Sequence, residues 1–322
     1  KIAEDKATIE KLQDSLQLEQ FAREKLVTEI TAHDFEHTLR VMKIATHIGT
    51  ILEADIEVIQ VASLTHDIID KKVSKVVVAC LDPNPKVAGK GIERLKKAGI
   101  AVEIGLLENE AQQLNKRFFC YHQKQRPYVI LKWAQTKDGF LDRLRTKDQK
   151  GIHWISSEES KALVHHWRSQ EMSILVGKHT AINDNPSLTV RDVSGKNPIR
   201  ILIDSQLQVQ NDISLFSKDA PTLIFNRLKN DKNDSVEWIK IAETNTKNIL
   251  EELHKRGIHS VMVEGGSRTL QYFIVDNVWD EAYVLVGDVT FKEGVKAPVL
   301  NRIPDKSHPF GSDQIYYFKR RM

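Results

Sequence analysis

Hydrophobic positions divide this chain into a helical front and a longer α/β remainder. In residues 2–32 the apolar positions recur among charged residues at helical spacing, and similar patterns predict further helices at about 37–52 and 57–67. The first 82 residues contain no Pro and a single Gly, so few residues interrupt these helices. After residue 71 the pattern changes to short, continuous apolar runs, which are typical of buried parallel strands.

Strands and helices are predicted to alternate through the remainder. The predicted strands are Val76–Cys80, Ile100–Gly105, Tyr128–Ala134, Ser173–Gly177, Ile199–Asp204, Thr222–Asn226, Ser260–Glu264 and Glu281–Val286. The predicted helices are residues 88–98, 157–169, 246–256 and 267–276. This alternation predicts an α/β fold with a mostly parallel sheet and helices on both faces.

Two short signals mark helix ends in this region. Ser156 followed by Glu159 matches a capping box at the start of the 157–169 helix. Gly257 follows two basic residues and predicts the end of the 246–256 helix.

Charge is distributed unevenly along the 322 residues. Residues 1–70 carry 7 basic and 14 acidic residues, a net charge of −7, whereas residues 71–322 carry 40 and 30, a net charge of +10. A basic larger part suits phosphorylated ligands, but the total of +3 falls short of a dedicated nucleic-acid binder. We therefore expect no nucleic-acid partner.

Cysteine usage and hydropathy indicate a soluble cytoplasmic protein. Cys80 and Cys120 cannot build a disulfide framework, and neither belongs to a C-x-x-C motif. No apolar run is long enough to span a membrane, so we expect no membrane partner.

The helical front contains one candidate metal motif. A His-Asp dipeptide alone is explained equally well by a buried His beside a capping Asp. Together, however, Asp34–His37 and Leu64–Asp70 resemble the opening helices of HD-type metal-dependent phosphohydrolases. That resemblance implies a divalent metal held by His37, His66 and Asp67, and a nucleotide phosphohydrolase as the alternative function. The pattern stops after Asp70, before the further Asp that this family needs.

Residues 71–122 carry a second resemblance. Val78–Gly91, Ala98–Ile100 and Leu114–Asn115 look like the C-terminal part of the deaminase domain in the bifunctional deaminase–reductase family of riboflavin biosynthesis. The H-x-E and P-C…C motifs of such a domain are absent from the chain, so we expect neither a deaminase zinc site nor deaminase activity. The Asp82–Pro85 loop is interpreted as structural. Residues 1–70 and 71–122 meet without a linker, which indicates two truncated modules. Another hypothesis makes residues 1–122 a non-catalytic platform for assembly.

Residues 123–322 resemble the reductase domain of the same family, whose fold is similar to dihydrofolate reductase. The resemblance rests on ordered segments: Tyr128–Ala134, Asp138–Gly139, Trp154–Ser157, Ile174–Gly177, Thr180–Arg191, Arg200–Ser205 and Val263–Ser267. It implies NADPH-dependent reduction of 5-amino-6-(5-phosphoribosylamino)uracil to the ribitylamino product. It also implies a phosphorylated pyrimidine as substrate and a homodimer.

The resemblance assigns roles to individual residues. It implies that Lys132, Asp184 and Glu264 surround the reacting sugar. The substrate residues are Arg168, Leu188, Arg191 and Glu264. The implied cofactor residues are Ala134, Trp154, Thr180, Asp184, Ser205, Gly266, Ser267, Arg268, Thr269, Leu270, Gln271 and Tyr272.

Structural interpretations remain open for several of these positions. Lys132 is also explained as a strand lysine that reaches solvent, Asp184 as part of a turn, and Trp154 as core. The glycines after Glu264 also suit a tight strand–helix turn.

Other positions are less clearly defined by the pattern. Ser205 and the Asn226–Arg227 turn are candidates for the 2′-phosphate of NADPH. Residues 143–153 depart from the family pattern, and Ile152 replaces a small polar substrate contact. His165 and His166 are interpreted as a pair on a helix surface.

Overall fold

The computed structural model of the chain describes residues 74–146 and 149–320. The three predicted N-terminal helices and the candidate metal ligands His37, His66 and Asp67 lie outside the described residues. The chain divides into two compact units, with the boundary between Lys116 and Arg117. Within the described ranges, no helix combines the length and the apolar character needed to cross a membrane.

The first unit contains a small parallel β-α-β arrangement. Its elements are β1 (Lys75–Val78), α1 (Lys90–Lys97), β2 (Ala101–Ile104) and α2 (Glu108–Leu114). β1 and β2 pair in parallel from Lys75–Ala101 to Val78–Ile104. In the loop after β1, the Asp82 carboxylate accepts a hydrogen bond from Asn84 N at 2.7 Å. This local bond supports the structural interpretation of the Asp82–Pro85 loop.

The second unit is built on a ten-stranded sheet in the order β13-β14-β11-β3-β10-β5-β6-β7-β9-β8. The strands of this unit are β3 (Tyr128–Thr136), β4 (Phe140–Asp142), β5 (Ser173–Gly177), β6 (Ile199–Ile203), β7 (Thr222–Asn226), β8 (Asp231–Lys232), β9 (Val236–Lys240), β10 (Ser260–Val263), β11 (Glu281–Gly287), β12 (Val295–Lys296), β13 (Lys306–Phe310) and β14 (Asp313–Lys319). Of these, β4 and β12 form a separate two-stranded sheet. The helices are α3 (Lys116–Lys124), α4 (Glu158–Ser169), α5 (Lys178–Asp184), α6 (Thr246–Lys255) and α7 (Ser267–Val275). All pairings from β11 to β9 are parallel, and β13, β14 and β8 are antiparallel to their neighbours.

Alternate residues of the central strands supply two hydrophobic cores on opposite faces of the sheet. On β3, Val129 and Leu131 join the core that contains side chains of α6 and α7. Tyr128 and Ile130 join the core that contains side chains of α3 and α5. A period of two places successive side chains on opposite faces, so continuous apolar runs are required here. The predicted mostly parallel α/β fold with helices on both faces is confirmed.

The caps of two helices differ in how closely they match the sequence pattern. Gly257 has a φ of +74° and follows Arg256, the C-cap of α6, so the predicted end of this helix is confirmed. The capping-box prediction for α4 is wrong by one residue, because the cap is Ser157, whose hydroxyl accepts from Ser160 N at 3.3 Å. The Asp313 carboxylate accepts hydrogen bonds from Ser157 N and Oγ, a contact from a distant strand that holds this residue in place.

Strand order brings several strand ends together. β10 lies between β3 and β5, although it follows both in the chain, and β6 and β7 continue the sheet beyond β5. Because these strands are parallel, their carboxyl ends meet at one edge. Open α/β sheets bind ligands at such an edge, where the strand order reverses.

A buried carboxylate joins the start of this sheet to α3. Asp280 accepts hydrogen bonds from Arg126 at 2.6 and 2.8 Å, from Lys124 at 3.1 Å and from Val129 N at 2.9 Å. Burial alone would raise the pKa of Asp280, but the bonds from Arg126 and the other donors lower it below its usual range.

We expect Asp280→Asn to destabilise the second unit by about 3–5 kcal/mol, because it leaves the partly buried cations of Arg126 and Lys124 without their buried counter-ion. All five Trp residues lie after residue 116, so urea unfolding followed by Trp fluorescence reports on this unit. Because the pKa of Asp280 is lower in the folded than in the unfolded state, its contribution to the free energy of unfolding is fully present above the unfolded pKa of about 3.9. The contribution is lost as the pH falls through the folded pKa. Asp234→Asn, whose side chain is 91% exposed, is the control. Equal midpoints for both variants would contradict the assignment.

Candidate functional site

A cavity of about 1260 Å³ lies at the carboxyl ends of β3, β5, β6 and β10. Its lining includes Lys132, Asp184 and Glu264, the three residues expected around the reacting sugar. The volume exceeds the roughly 300–1,000 Å³ of a typical small-molecule pocket, so it suits two ligands side by side.

The centre of the cavity holds three charged side chains from three elements. Arg168 of α4 donates to Glu264 Oε2 at 2.8 Å and to the Thr189 carbonyl at 2.9 Å. Glu264 Oε1 is buried and has no hydrogen-bond partner among the described residues. The Lys132 ammonium on β3 likewise makes no hydrogen bond or ion pair to any described residue. One carboxylate oxygen and one ammonium therefore remain available to a ligand.

The protonation of this cluster follows from burial and mutual charge. Burial lowers the pKa of Lys132, Glu264 acts in the opposite direction, and the net pKa is below the usual value. Burial raises the pKa of Glu264, but Arg168 and Lys132 together hold it below its usual range. Glu264 is therefore anionic at neutral pH, and Lys132 releases a proton more readily than an exposed lysine.

The two glycines after Glu264 permit a close approach of two strand ends. A Cβ on Gly265 would lie 2.6 Å from Gly177 N and 2.7 Å from Val176 Cα, so no side chain fits there. Thr180 Oγ1 accepts a hydrogen bond from Gly266 N at 2.8 Å. The first residues of α7 line the cavity directly after this loop. A glycine loop followed by a helix N-terminus suits a phosphate group.

A second charged cluster lies where β4 and α5 border the cavity. Arg145 donates to Asp142 at 2.6 Å, to Asp184 at 3.0 Å and to the Gly151 carbonyl at 2.6 Å. His153 Nδ1 lies 2.7 Å from Asp142. Burial, together with nearby Asp142, raises the pKa of Asp184 to about 6 in spite of Arg145. Asp184 therefore changes charge close to neutral pH.

The remaining predicted site residues divide into two groups. Those that line the cavity are Ala134, Trp154, Thr180, Leu188, Arg191, Ser205, Gly266, Ser267, Arg268, Thr269 and Tyr272. Leu270 and Gln271 do not line it: Leu270 is fully buried in the core, and the Gln271 amide oxygen accepts a hydrogen bond from Val299 N at 2.9 Å. Helical periodicity explains this split, because consecutive residues of α7 point in different directions.

The interpretation of His165 as a surface residue is wrong. It is 6% exposed and lines the cavity, whereas His166 is exposed on the same helix. His165 lies three residues before Arg168, a spacing that places both on one face of α4. That spacing could have identified His165 in the sequence. The Asp142–Arg145 cluster had no comparable signal, because its partners come from separate elements.

The chain is similar to known riboflavin biosynthesis proteins. The model of the RibD C-terminal domain family matches residues 127–291. The riboflavin biosynthesis protein RibD of Aquifex aeolicus is 38% identical over 272 residues, which cover 80% of this chain and 75% of the relative. RibD of Synechocystis is 35% identical over 63% of this chain, and the chain spans only 56% of that relative.

Solved structures support the same relationship. A Thermotoga maritima diaminohydroxyphosphoribosylaminopyrimidine deaminase/5-amino-6-(5-phosphoribosylamino)uracil reductase is 30% identical with a TM-score of 0.67, covering 80% of this chain and 74% of that one. Acinetobacter baumannii RibD is 26% identical with a TM-score of 0.66, covering 78% and 74%. These neighbours confirm the expected reductase-type fold. Separately, the HD domain model matches residues 34–92 and so extends past residue 70, where the sequence pattern places a boundary.

We expect Arg145→Gln to raise the pKa of Asp184 above its present value of about 6, because the variant removes the cation that stabilises the carboxylate. Carbon NMR titration of Asp-labelled protein measures this pKa, with Asp184→Asn identifying the signal. Arg143→Gln is the matched control, since Arg143 instead stacks on the Phe291 ring at 4.2 Å. An unchanged or lower pKa in Arg145→Gln would refute the role of this guanidinium.

Proposed function

Because the chain belongs to the RibD family of riboflavin biosynthesis proteins, we propose that its second unit is a reductase that uses NADPH. The proposed reaction converts 5-amino-6-(5-phosphoribosylamino)uracil to its ribitylamino product. One observation supports it above the others. One oxygen of Glu264 and the ammonium of Lys132, neither bonded to another described residue, share a cavity with a glycine loop and a helix N-terminus.

The cavity has features that fit NADPH. Gly265 allows the ends of β5 and β10 to lie close together, and Ser267, Arg268 and Thr269 at the start of α7 line the cavity just beyond this loop. These residues would hold the phosphates of the cofactor. When bound, NADPH supplies the hydride that reduces C1 of the ribosyl group in its open-chain imine form.

Lys132 and Glu264 have complementary roles in this proposal. Reduction of the imine needs a proton at the nitrogen beside C1, and the Lys132 ammonium, with its lowered pKa, donates it. Glu264 keeps its charge because Arg168 binds Oε2, and its free Oε1 accepts a hydrogen bond from the substrate. The fixed carboxylate thereby orients the sugar for reduction.

A separate part of the cavity suits the 2′-phosphate that distinguishes NADPH from NADH. Asn226 shapes the turn after β7, because its side-chain oxygen accepts hydrogen bonds from Leu228 N and Lys229 N at 2.8 Å. This turn leaves Arg227 exposed at the cavity. The Ser205 and Thr244 hydroxyl groups form a hydrogen bond, with 2.5 Å between their oxygens. We assign the 2′-phosphate to Arg227, since an arginine is a strong donor for phosphate.

The expectations for the rest of the chain remain hypotheses. The HD domain match includes His37, His66 and Asp67, which keeps metal-dependent hydrolysis of nucleotides as the alternative function. Residues 74–146 and 149–320 contain no group of three or more His, Cys, Asp or Glu side chains that could hold a metal. We also propose, from the family resemblance, a homodimer in the cytoplasm.

The purified chain should oxidise NADPH when the phosphoribosylamino substrate is added, as followed by the absorbance of NADPH. Glu264→Gln should lower kcat by about 100-fold or more, because the neutral amide loses the ion pair with Arg168 and replaces the second carboxylate oxygen with an N–H donor. Glu251→Gln, on the half-exposed surface of α6, is the control and should retain full activity. The proposal is wrong if the wild-type protein shows neither turnover of the substrate nor NADPH binding in calorimetry.

Arg227→Ala should raise KM for NADPH about tenfold and leave KM for NADH unchanged, since only NADPH carries the 2′-phosphate. Lys229→Ala is the matched control, because Lys229 binds Asp231 and the Trp238 ring. Parallel changes for both cofactors would reject Arg227 as the discriminating residue.

A further inference from the structure

His165 has a defined tautomer in the wall of the cavity. The backbone N–H of Arg191 donates to His165 Nδ1 at 3.3 Å. Because a backbone N–H can only donate, Nδ1 carries no proton, and the ring proton of the neutral imidazole lies on Nε2. Nε2 lies 3.3 Å from the Asp192 carboxylate, close enough for an ion pair if the ring were protonated, but the two do not form a hydrogen bond.

The charged groups around His165 come from three segments. Burial lowers its pKa, as do Arg168 on its own helix and Arg191, while Asp192 and Glu264 act in the opposite direction. The net pKa is below the usual value, so the ring is neutral at neutral pH. Nδ1 is already committed as an acceptor, whereas Nε2–H makes no hydrogen bond to a described residue. The ring is therefore suited to donate a hydrogen bond and not to act as a base.

The carboxylate beside His165 Nε2 is more exposed than the buried ring. Asp192 lines the cavity, and its side chain is 52% exposed, so the carboxylate lies near solvent. Neighbouring Arg191 also lines the cavity, is exposed, and has no ion-pair partner among the described residues. The Asp192 carboxylate thus lies beside the His165 imidazole in a cavity wall that also contains Arg168 and Arg191. This donor set also fits a phosphate dianion.

We propose that His165 Nε2–H is a third donor to the phosphate of the substrate, beside Arg168 and Arg191, and that Asp192 is an internal competitor which the phosphate displaces. This assignment rests on the proposed function and adds a specificity residue to it. A pentose phosphate monoester replaces the carboxylate on His165, whereas the corresponding unphosphorylated pentose does not. Asp192 therefore weakens phosphate binding and disfavours ligands without a dianion.

Calorimetry on the full chain tests this with D-ribose 5-phosphate as the probe and D-ribose as its neutral counterpart. His165→Phe keeps a ring but removes the donor, and should weaken ribose 5-phosphate binding about tenfold. His165→Gln restores an N–H donor and should recover part of the loss. Asp192→Asn removes the competing charge and should tighten binding several-fold. His166→Phe, one residue away and exposed, is the matched control and should bind like the wild type.

Imidazole nitrogen NMR provides a second measurement, which is made on the wild-type protein and so does not depend on whether a variant folds. The His165 Nε2 signal of the wild type should move on addition of ribose 5-phosphate and stay in place with ribose. Wild-type affinity in His165→Phe, weaker binding in Asp192→Asn, or no ribose 5-phosphate binding by the wild type would overturn the inference. Donor-dependent phosphate binding without NADPH oxidation would instead overturn the proposed reductase function alone.

Discussion

The Arg168–Glu264 ion pair is the interaction on which the site depends. The two side chains are only 9% and 10% exposed, so either charge alone would be costly to bury. Together they join α4 to the end of β10 and leave one oxygen of the Glu264 carboxylate without a hydrogen-bond partner among the described residues. A partly satisfied buried group of this kind is tolerated where a ligand completes its hydrogen bonds. The same pair helps to keep Glu264 anionic, because Arg168 lowers the pKa of the buried carboxyl group.

Sheet order makes this pair possible. Because β10 is inserted between β3 and β5, Glu264 lies beside Lys132 on one side and beside the β5 end on the other. The absence of a side chain at Gly265 allows the strand ends to approach so closely. Buried Asp280 then anchors the first residues of β3, where this arrangement begins. A hydrogen-bonded carboxylate at the start of β3 thus supports the strand that also carries Lys132 into the cavity.

Continuous apolar runs predicted the central strands well, and Ser173–Gly177 and Thr222–Asn226 coincide with β5 and β7. The antiparallel strands β13 and β14 were not predicted, because β13 is largely exposed and β14 alternates between buried and half-buried positions. Family resemblance located Lys132 and Glu264, yet their protonation depends on Arg168, which is distant in the chain. His165 was misinterpreted although its spacing from Arg168 places both on one face of α4, and its contacts with Arg191 and Asp192 come from a segment distant in the chain. The N-terminal predictions fall outside the described residues.

The two edges of the ten-stranded sheet limit how it can associate with other molecules. At one edge β8 contains two residues, Asp231 and Lys232, both exposed and charged. At the other, β13 begins with Lys306 and contains Pro309, which lacks a backbone N–H. Short, charged or proline-containing edges resist the addition of a further strand. A second copy of the chain would therefore not extend this sheet at either edge.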